Sequence, residues 1–231
     1  MRKLMAALSM AGWLASGPAL ADSPVVVELF TSQGCSSCPP ADEMVRDLAT
    51  REEVIALGLH VDYWDYIGWA DIFARPEFTR RQKSYAAAAG ERMVYTPQFV
   101  VGGVERIVGA KPMKVMDAVL DRAEAPARVE LSVAREGEVL RIAARRLDGR
   151  PEPLLVQLVR YRPEASVAIE HGENAGHELH YANIVTSWNL LLRWNGSEEL
   201  EVTAPVEGAL PGAVIVQEEG PGAILAAARM P

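Results

Sequence analysis

The two cysteines of the chain lie three residues apart, in the sequence GCSSCPPAD at residues 34–42. Two cysteines at this spacing can form a structural disulfide, bind a metal ion or act as a redox dithiol. A disulfide between Cys35 and Cys38 closes a very short loop, so it removes little conformational entropy from the unfolded chain. A closed zinc site usually has four ligands, and this pair supplies two. The spacing therefore favours a redox dithiol.

The residues on either side of the cysteines predict a buried strand followed by a helix. The run VVVELF at residues 25–30 is apolar and rich in β-branched residues, which is typical of a strand buried on both faces. We expect the helix to begin at Ser36 or Ser37, because Pro39 and Pro40 suit a first helical turn. Both cysteines then lie at a helix N-terminus, where the helix dipole stabilises a thiolate.

The rest of the chain divides into two halves of different composition. Up to residue 126, strand and helix patterns alternate, as expected of a parallel βαβ unit with a hairpin and a helix after it. From residue 127 onward, about eight short strand-like runs are separated by turn residues, which is typical of an antiparallel sandwich or barrel. The further elements predicted in the first half are a strand at 54–61, a helix at 76–89, a hairpin around Gly102 and Gly103, and a helix at 112–124.

Residues 1–21 have the pattern of a secretory signal peptide. A basic start precedes a short apolar run, and small residues favour cleavage between Ala21 and Asp22. We therefore expect domains at 22–126 and 127–231 to act in a bacterial periplasm or outside the cell, where disulfides persist. The formal net charge of −8 argues against nucleic acid as a partner, and no later run is long enough for stable membrane insertion.

Two motifs make the first half similar to the thioredoxin fold: Cys35-Ser36-Ser37-Cys38 after the first strand and Thr96-Pro97 before the third. The runs VVVELFTSQGCSSCPPAD, HVDYWDYIGWADIFARPEFTRRQKSYA and VYTPQFVVGG, with HGENAG and the tail at 217–228, resemble a family of secreted bacterial thioredoxin-like proteins. That family is catalogued as a domain of unknown function. The resemblance implies an α/β thioredoxin-like N-terminal domain followed by an all-β, antiparallel, sandwich-like C-terminal domain.

The resemblance also implies roles for individual residues in a thiol–disulfide oxidoreductase that forms a Cys35–Cys38 disulfide. Cys35 attacks a substrate disulfide and Cys38 resolves the mixed disulfide. A cis-proline faces the dithiol in such proteins, and here Pro97 matches it, with Thr96 beside the bound substrate. In thioredoxins a buried acid on the first strand assists proton transfer. Glu28 is the acid on this strand, and the alternative for it is a solvated or ion-paired position.

The sequence DYWDYIGW follows the second strand, at the edge of the sheet where the cysteines are expected. Tyr63, Trp64 and Trp69 are candidates for a substrate-binding wall. Asp62 and Asp65 are candidates for binding a polar group or bracing the loop. The alternative is that the aromatic side chains pack against the core or against the second half of the chain.

Two other classes of function stay open from the sequence. Cys35, Cys38 and His60 are candidate ligands for copper(I) or zinc in a metal-binding or delivery protein. Alternatively, the scaffold is catalytically idle and binds a partner. The presence of both cysteines together with Thr96-Pro97 favours dithiol exchange, which needs no metal and no cofactor.

The remaining expectations concern partners and the HGENAG motif. The chain has no third cysteine, so electrons must come from or go to a separate redox partner or a small thiol. The expected substrates are protein or small-molecule thiols and disulfides. HGENAG, at residues 171–176, is interpreted as a turn because Gly and Asn tolerate positive φ angles, with a functional loop as the alternative.

Overall fold

The structure, a computed structural model, describes residues 23–150 and 152–231. The predicted signal peptide and its cleavage site lie outside the described residues. Within them the chain forms eleven β-strands and three α-helices, and no helix there is long and apolar enough to cross a membrane. In chain order the elements are β1 (Val25–Thr31), α1 (Pro39–Ala49), β2 (Val54–His60), α2 (Pro76–Ala88), β3 (Gln98–Val101), β4 (Glu105–Val108), α3 (Pro112–Ala123), β5 (Val129–Glu136), β6 (Val139–Arg146), β7 (Leu154–Ala168), β8 (Glu178–Trp194), β9 (Leu200–Pro205), β10 (Gly212–Glu218) and β11 (Ile224–Arg229).

One sheet contains strands from both compositional halves of the chain. Its eight strands have the order β11-β10-β7-β8-β2-β1-β3-β4. β1 pairs with β2 in parallel and with β3 in antiparallel orientation. β8 joins the first half by pairing with β2 in parallel, where Gly58 lies opposite Ile184. β5, β6 and β9 form a separate three-stranded sheet.

The predicted fold class is wrong. The chain is mostly β and is built on this mixed eight-stranded sheet with three helices in the described residues, not on a thioredoxin-like α/β domain followed by a β-sandwich. The physical reason lies in β7 and β8, which are 15 and 17 residues long and pair along most of their length. Pro163 interrupts the strand pattern of β7, and Ser187 and Asn189 interrupt that of β8, so each long strand reads as shorter ones.

Side chains that alternate along β1 pack on opposite faces of the large sheet. Val27 and Leu29 pack with Val45 of α1 on one face, which α3 also covers. Val26 and Phe30 pack with α2 on the other face. The three-stranded sheet packs against β7, β10 and β11. α1 and α2 therefore cover opposite faces of β1, and only side chains on the α1 face lie beneath the helix that follows the cysteines.

Short-range patterns predicted several elements of the first half well. The helix after the cysteines begins slightly later than expected, with Cys38 as its N-cap and Pro39 and Pro40 as its first residues. The predicted hairpin is confirmed between β3 and β4, where Gly102 and Gly103 have φ angles of 58° and 76°. These elements depend on local turn chemistry, so they were accessible from the sequence.

Candidate functional site

The cysteine pair is oxidised in the structure. The predicted Cys35–Cys38 disulfide is confirmed, with Cα atoms 5.4 Å apart. It lies in the loop between β1 and α1, where the Cys38 N–H donates to the Cys35 carbonyl at 3.1 Å. Cys35 is 3 % exposed, whereas Cys38 is fully buried. Cys35 is therefore the more accessible of the two cysteines.

The segment before β3 lies against the cysteine loop. The Thr96–Pro97 peptide bond is cis, as the resemblance implied. Ser37 connects the two segments, because its Oγ lies 3.4 Å from Cys35 Sγ and 3.5 Å from the Thr96 carbonyl oxygen. The single Ser37 hydroxyl proton thus has two acceptors within reach, a cysteine sulfur and a backbone oxygen.

The aromatic loop after β2 lies beside the same segments, as its position in the chain predicted. Trp64 Nε1 donates to Thr96 Oγ1 at 2.7 Å, and a Cβ at Gly34 would lie 3.2 Å from Trp64 Cβ. Trp69 Nε1 donates to Gln33 Oε1 at 2.8 Å. Both indole N–H groups are therefore used within the protein, and a contact of these rings with substrate stays a prediction.

The other polar residues of the aromatic loop contact neighbouring elements. The Tyr63 hydroxyl donates to a glutamine side chain of α2, and burial raises the pKa of Tyr63 to about 12. Asp62 accepts a hydrogen bond from the Thr79 hydroxyl at 2.6 Å, and Asp65 accepts one from the Asp71 backbone at 3.1 Å. These contacts brace the loop, which was one of the two roles considered for the aspartates.

Glu28 lies on the face of β1 opposite α1. Its fully buried carboxylate accepts hydrogen bonds from the Arg81 guanidinium at 2.6 and 2.9 Å and from the Tyr85 hydroxyl at 2.6 Å. The Arg81 guanidinium also stacks on Trp188, with Cζ 3.6 Å from the ring centre. Glu28 thus occupies the ion-paired position that was the alternative to a proton relay.

A buried acid that the sequence reasoning missed lies on α1 itself. Asp42 follows Cys38 by four residues, so the two side chains lie on one face of the helix, one turn apart. Asp42 is 5 % exposed. Burial raises its pKa to about 7, although nearby His60 and Thr31 oppose the shift. The four-residue spacing between a cysteine and an acid inside a helix was the available signal.

His60 and Asp71 extend this buried cluster. His60 lies opposite Thr31 in the β1–β2 register, on the α1 face. Its Nδ1 is 2.7 Å from Asp71 Oδ2, which also accepts the Gln33 N–H at 2.8 Å. Burial favours the neutral ring, but the Asp71 carboxylate raises the pKa of His60 above its ordinary value. The cluster therefore connects the interior beneath α1 to the backbone two residues before Cys35.

The structure does not assemble the candidate metal ligands. His60 Nδ1 is directed at Asp71, and Cys35 and Cys38 are bonded to each other. Among residues 23–150 and 152–231, no three His, Cys, Asp or Glu side chains form a group with the arrangement of a metal site.

The loop between β7 and β8 brings the second half of the chain to the cysteines. It contains HGENAG, which forms the predicted turn, with Gly172 and Gly176 at φ angles of 78° and 84°. Asn174 of this turn is buried, and its side-chain amide donates to the Gln33 carbonyl at 2.9 Å and to the Cys35 carbonyl at 3.1 Å. The motif is therefore both a turn and a contact to the cysteine loop.

Replacing Asn174 with alanine is expected to lower the free energy of unfolding by about 1–3 kcal/mol, because two buried carbonyl groups lose their donor. Urea unfolding of the oxidised protein measures this loss. Asn189→Ala, an exposed asparagine of β8, is the matched control and should cost under about 0.5 kcal/mol. Equal midpoints for the two variants would contradict an anchoring role for Asn174.

Comparison with known proteins supports a family but no activity. Comparison with curated proteins gives no match. The chain is 32 % identical to a structural-genomics target from Agrobacterium tumefaciens with an X-ray structure, over 92 % of this chain and 96 % of that one, at a TM-score of 0.78. HBP35 of Porphyromonas gingivalis is 15 % identical over 90 % of this chain and 74 % of its own, at a TM-score of 0.56, which shows a shared fold alone. A family described as "Protein of unknown function (DUF1223)" matches residues 26–217, and the chain belongs to this family.

Proposed function

We propose that the chain is a thiol–disulfide oxidoreductase with Cys35 and Cys38 as its redox centre. The observation that carries this proposal is the disulfide at the start of α1, which lies beside the cis Thr96–Pro97 segment and one helical turn from the buried acid Asp42. A disulfide that closes so short a loop contributes little stability. A buried carboxyl group of raised pKa beside it supports a chemical role for the pair.

The reaction is a pair of thiolate attacks. The Cys35 thiolate attacks one sulfur of a substrate disulfide, forming a mixed disulfide and releasing one substrate thiolate. Cys38 then loses its proton, and its thiolate attacks Cys35 Sγ, forming the Cys35–Cys38 bond and releasing the second substrate thiolate. Two electrons pass from the protein dithiol to the substrate, and the reverse sequence oxidises a substrate dithiol.

Ser37 supports the Cys35 thiolate in this scheme. Pro39 and Pro40, the first two residues of α1, have no backbone N–H to offer a thiolate. The Ser37 hydroxyl lies within 3.4 Å of Cys35 Sγ and can turn its proton from the Thr96 carbonyl to the sulfur when the thiolate forms. A charge-assisted hydrogen bond of this kind favours the ionised cysteine.

Asp42 is the group that takes the proton from Cys38. Cys38 is fully buried, so its proton has no direct route to solvent. The Asp42 carboxyl group lies on the same helix face and has a pKa of about 7, which suits a base that must release its proton again near neutral pH. Glu28 lies on the opposite face of β1 and is held by Arg81. We therefore assign the proton-accepting role to Asp42 rather than to Glu28.

The proposed setting is an oxidising compartment outside the cytoplasm. The signal-peptide pattern of residues 1–21 supports export, and a closed Cys35–Cys38 disulfide is compatible with it. The proposed substrates are thiols and disulfides of proteins or small molecules, and a separate redox partner recycles the pair.

A redox titration of the mature protein with two single-cysteine variants tests this function. In a series of glutathione redox buffers the wild type should show one reversible two-electron transition. Alkylation of the free thiols and mass spectrometry measure the fraction of reduced protein in each buffer. Cys38→Ser should accumulate a mixed disulfide with glutathione at Cys35. Cys35→Ser should form it far more slowly, because Cys38 is fully buried.

Two outcomes contradict the function. The first is a wild-type protein whose cysteines do not change redox state reversibly in any glutathione ratio. The second is equal reactivity of Cys35→Ser and Cys38→Ser, which would remove the distinction between a nucleophile and a resolving cysteine.

A further inference from the structure

A loop of the second half holds a single peptide unit of the cysteine loop from both sides. The unit is the peptide bond between Cys35 and Ser36. Its carbonyl oxygen accepts a hydrogen bond from the Asn174 amide at 3.1 Å, and its N–H donates to Glu173 Oε2 at 3.3 Å. Two adjacent residues of HGENAG thus hold the peptide bond next to the candidate nucleophile.

The loop that carries these residues is fixed in place by packing. Gly172 lies so close to the aromatic loop that a Cβ there would be 3.2 Å from Trp69 Cβ. Asn174 is buried and also donates to the Gln33 carbonyl. Glu173 itself is exposed, and its position is set by the buried Asn174 that follows it.

The Glu173 carboxylate affects the cysteines in two ways. It occupies the Ser36 N–H, which is a backbone donor directly after Cys35. It also places a negative charge next to the residue that must become a thiolate, and like charges disfavour each other. Both effects raise the free energy of the Cys35 thiolate. Neither raises the free energy of the disulfide, because its sulfur atoms are uncharged.

We propose that Glu173 is a positioning residue that disfavours the Cys35 thiolate and thereby shifts the dithiol–disulfide equilibrium toward the disulfide. The inference rests on the proposed function of the cysteine pair. A residue of the second half of the chain thus adjusts the reduction potential of the Cys35–Cys38 pair. With this carboxylate the dithiol is a stronger reductant than it would be without it.

Other titratable groups also face the cysteine loop. Asp71 accepts the Gln33 N–H, Asp42 lies on α1, and His60 lies on the strand beneath it. The test must change Glu173 alone. Glu173→Gln keeps an oxygen acceptor for the Ser36 N–H and removes the charge, so it isolates the electrostatic effect.

The experiment titrates the full mature chain against glutathione, in which two glutathione thiols reduce the Cys35–Cys38 disulfide and form glutathione disulfide. For Glu173→Gln the equilibrium constant for this reduction should rise about threefold, the effect of one exposed charge. The pH at which the rate of Cys35 alkylation is half its maximum should fall by about half a unit. Both shifts should shrink at high salt, because the carboxylate is exposed. Glu170→Gln, an exposed glutamate next to HGENAG, removes the same charge and should leave both values unchanged.

The possible outcomes distinguish a failure of the role of Glu173 from a failure of the proposed oxidoreductase function. A reversible wild-type titration with no shift in Glu173→Gln, or with a shift toward the disulfide, overturns the role of Glu173 and leaves the oxidoreductase intact. A shift of equal size in Glu170→Gln overturns it too, since general surface charge then explains the effect. A wild type that does not titrate reversibly overturns the oxidoreductase and the inference together.

Discussion

Replacing Asp42 with asparagine should slow the second step of the proposed thiol–disulfide exchange by about 100-fold, which is the lower end of the effect of one general acid–base group. Asparagine has nearly the shape of aspartate but cannot take a proton. Cys38 is fully buried one helical turn away, so without Asp42 its proton has no acceptor on that helix face. The attack of Cys35 on the substrate precedes this proton transfer and should keep its rate.

The pH dependence of the second step gives a more specific signature. As the proposed proton acceptor, Asp42 must be ionised in the wild type, and burial raises its pKa to about 7. The rate of the second step should therefore rise with pH through about 7 and level off above it. Asp42→Asn should lose this inflection in the second step, whereas the pH dependence of the first step, which depends on ionisation of Cys35, should stay the same.

Rapid mixing of the reduced protein with a chromogenic disulfide separates the two steps, because each releases one coloured thiolate. Asp47→Asn is the matched control, since Asp47 is an exposed acid of the same helix. We expect Asp47→Asn to match the wild type in both phases and Asp42→Asn to slow only the second. Equal second phases in the two variants at every pH would exclude Asp42 as the proton acceptor.

The Asp42→Asn substitution should also change how the free energy of unfolding depends on pH. The folded-state pKa of Asp42 is raised from 3.8 to about 7, so the folded protein binds a proton that the unfolded chain releases. This contribution is fully present below pH 3.8 and is lost as pH rises through about 7. Urea unfolding should therefore show a decline of wild-type stability across this range that Asp42→Asn lacks. We expect Asp42→Asn to have a slower second step than the wild type but to be no less stable at pH 8. This combination is typical of a residue that is retained for function rather than for stability.

The sequence predicted those parts of the fold that depend on neighbouring residues. β1, α1, β2 and the hairpin at Gly102 follow from apolar runs, prolines in a first helical turn and paired glycines. The arrangement of the second half depends on one long-range pairing, in which β8 joins β2 at Gly58 and Ile184. Nothing in the local pattern of either strand distinguishes this pairing from a separate antiparallel domain, so the fold class was missed.

The residues of the candidate site also divide into those that the sequence made visible and those that depend on the folded structure. Cys35 and Cys38 stood out because their type and spacing are unusual in any chain, and the cis Pro97 was implied by the resemblance to thioredoxin-like proteins. Asp42 was overlooked because an acid in the first turn of a helix is ordinary, and its four-residue spacing from Cys38 becomes informative only once its burial is known. Glu173 reaches the cysteines from a hairpin whose length the sequence did not show.

Replacing Arg81 with methionine should lower the free energy of unfolding by about 3–5 kcal/mol, the largest loss of stability that we expect from a single substitution. Glu28 is fully buried, and Arg81 supplies two of the hydrogen bonds to its carboxylate as well as the opposing charge. Methionine fills part of the same space but leaves the carboxylate buried and unpaired. The Arg81 side chain also stacks on Trp188 of β8, so its loss loosens the contact of α2 with the second half of the chain.

Urea unfolding at pH 7 measures this loss. Arg80→Met is the matched control, because Arg80 is the exposed neighbour on the same helix and should change stability by under about 0.5 kcal/mol. A loss below about 1 kcal/mol for Arg81→Met would mean that Glu28 becomes neutral at little cost or gains another partner, and the ion pair would then matter little for the fold.

The double variant Glu28→Gln/Arg81→Met distinguishes the two carboxylates that compete for the role of proton acceptor. A neutral glutamine removes the unpaired charge, so the double variant should recover most of the stability that Arg81→Met loses. If Glu28 only holds the sheet to α2, the second phase of disulfide exchange in the double variant should keep the wild-type rate and its inflection near pH 7. If that phase slows as in Asp42→Asn, the proton leaves Cys38 by way of Glu28 after all. Because Glu28 faces α2 and Asp42 faces the other side of β1, we expect the rate to be unchanged.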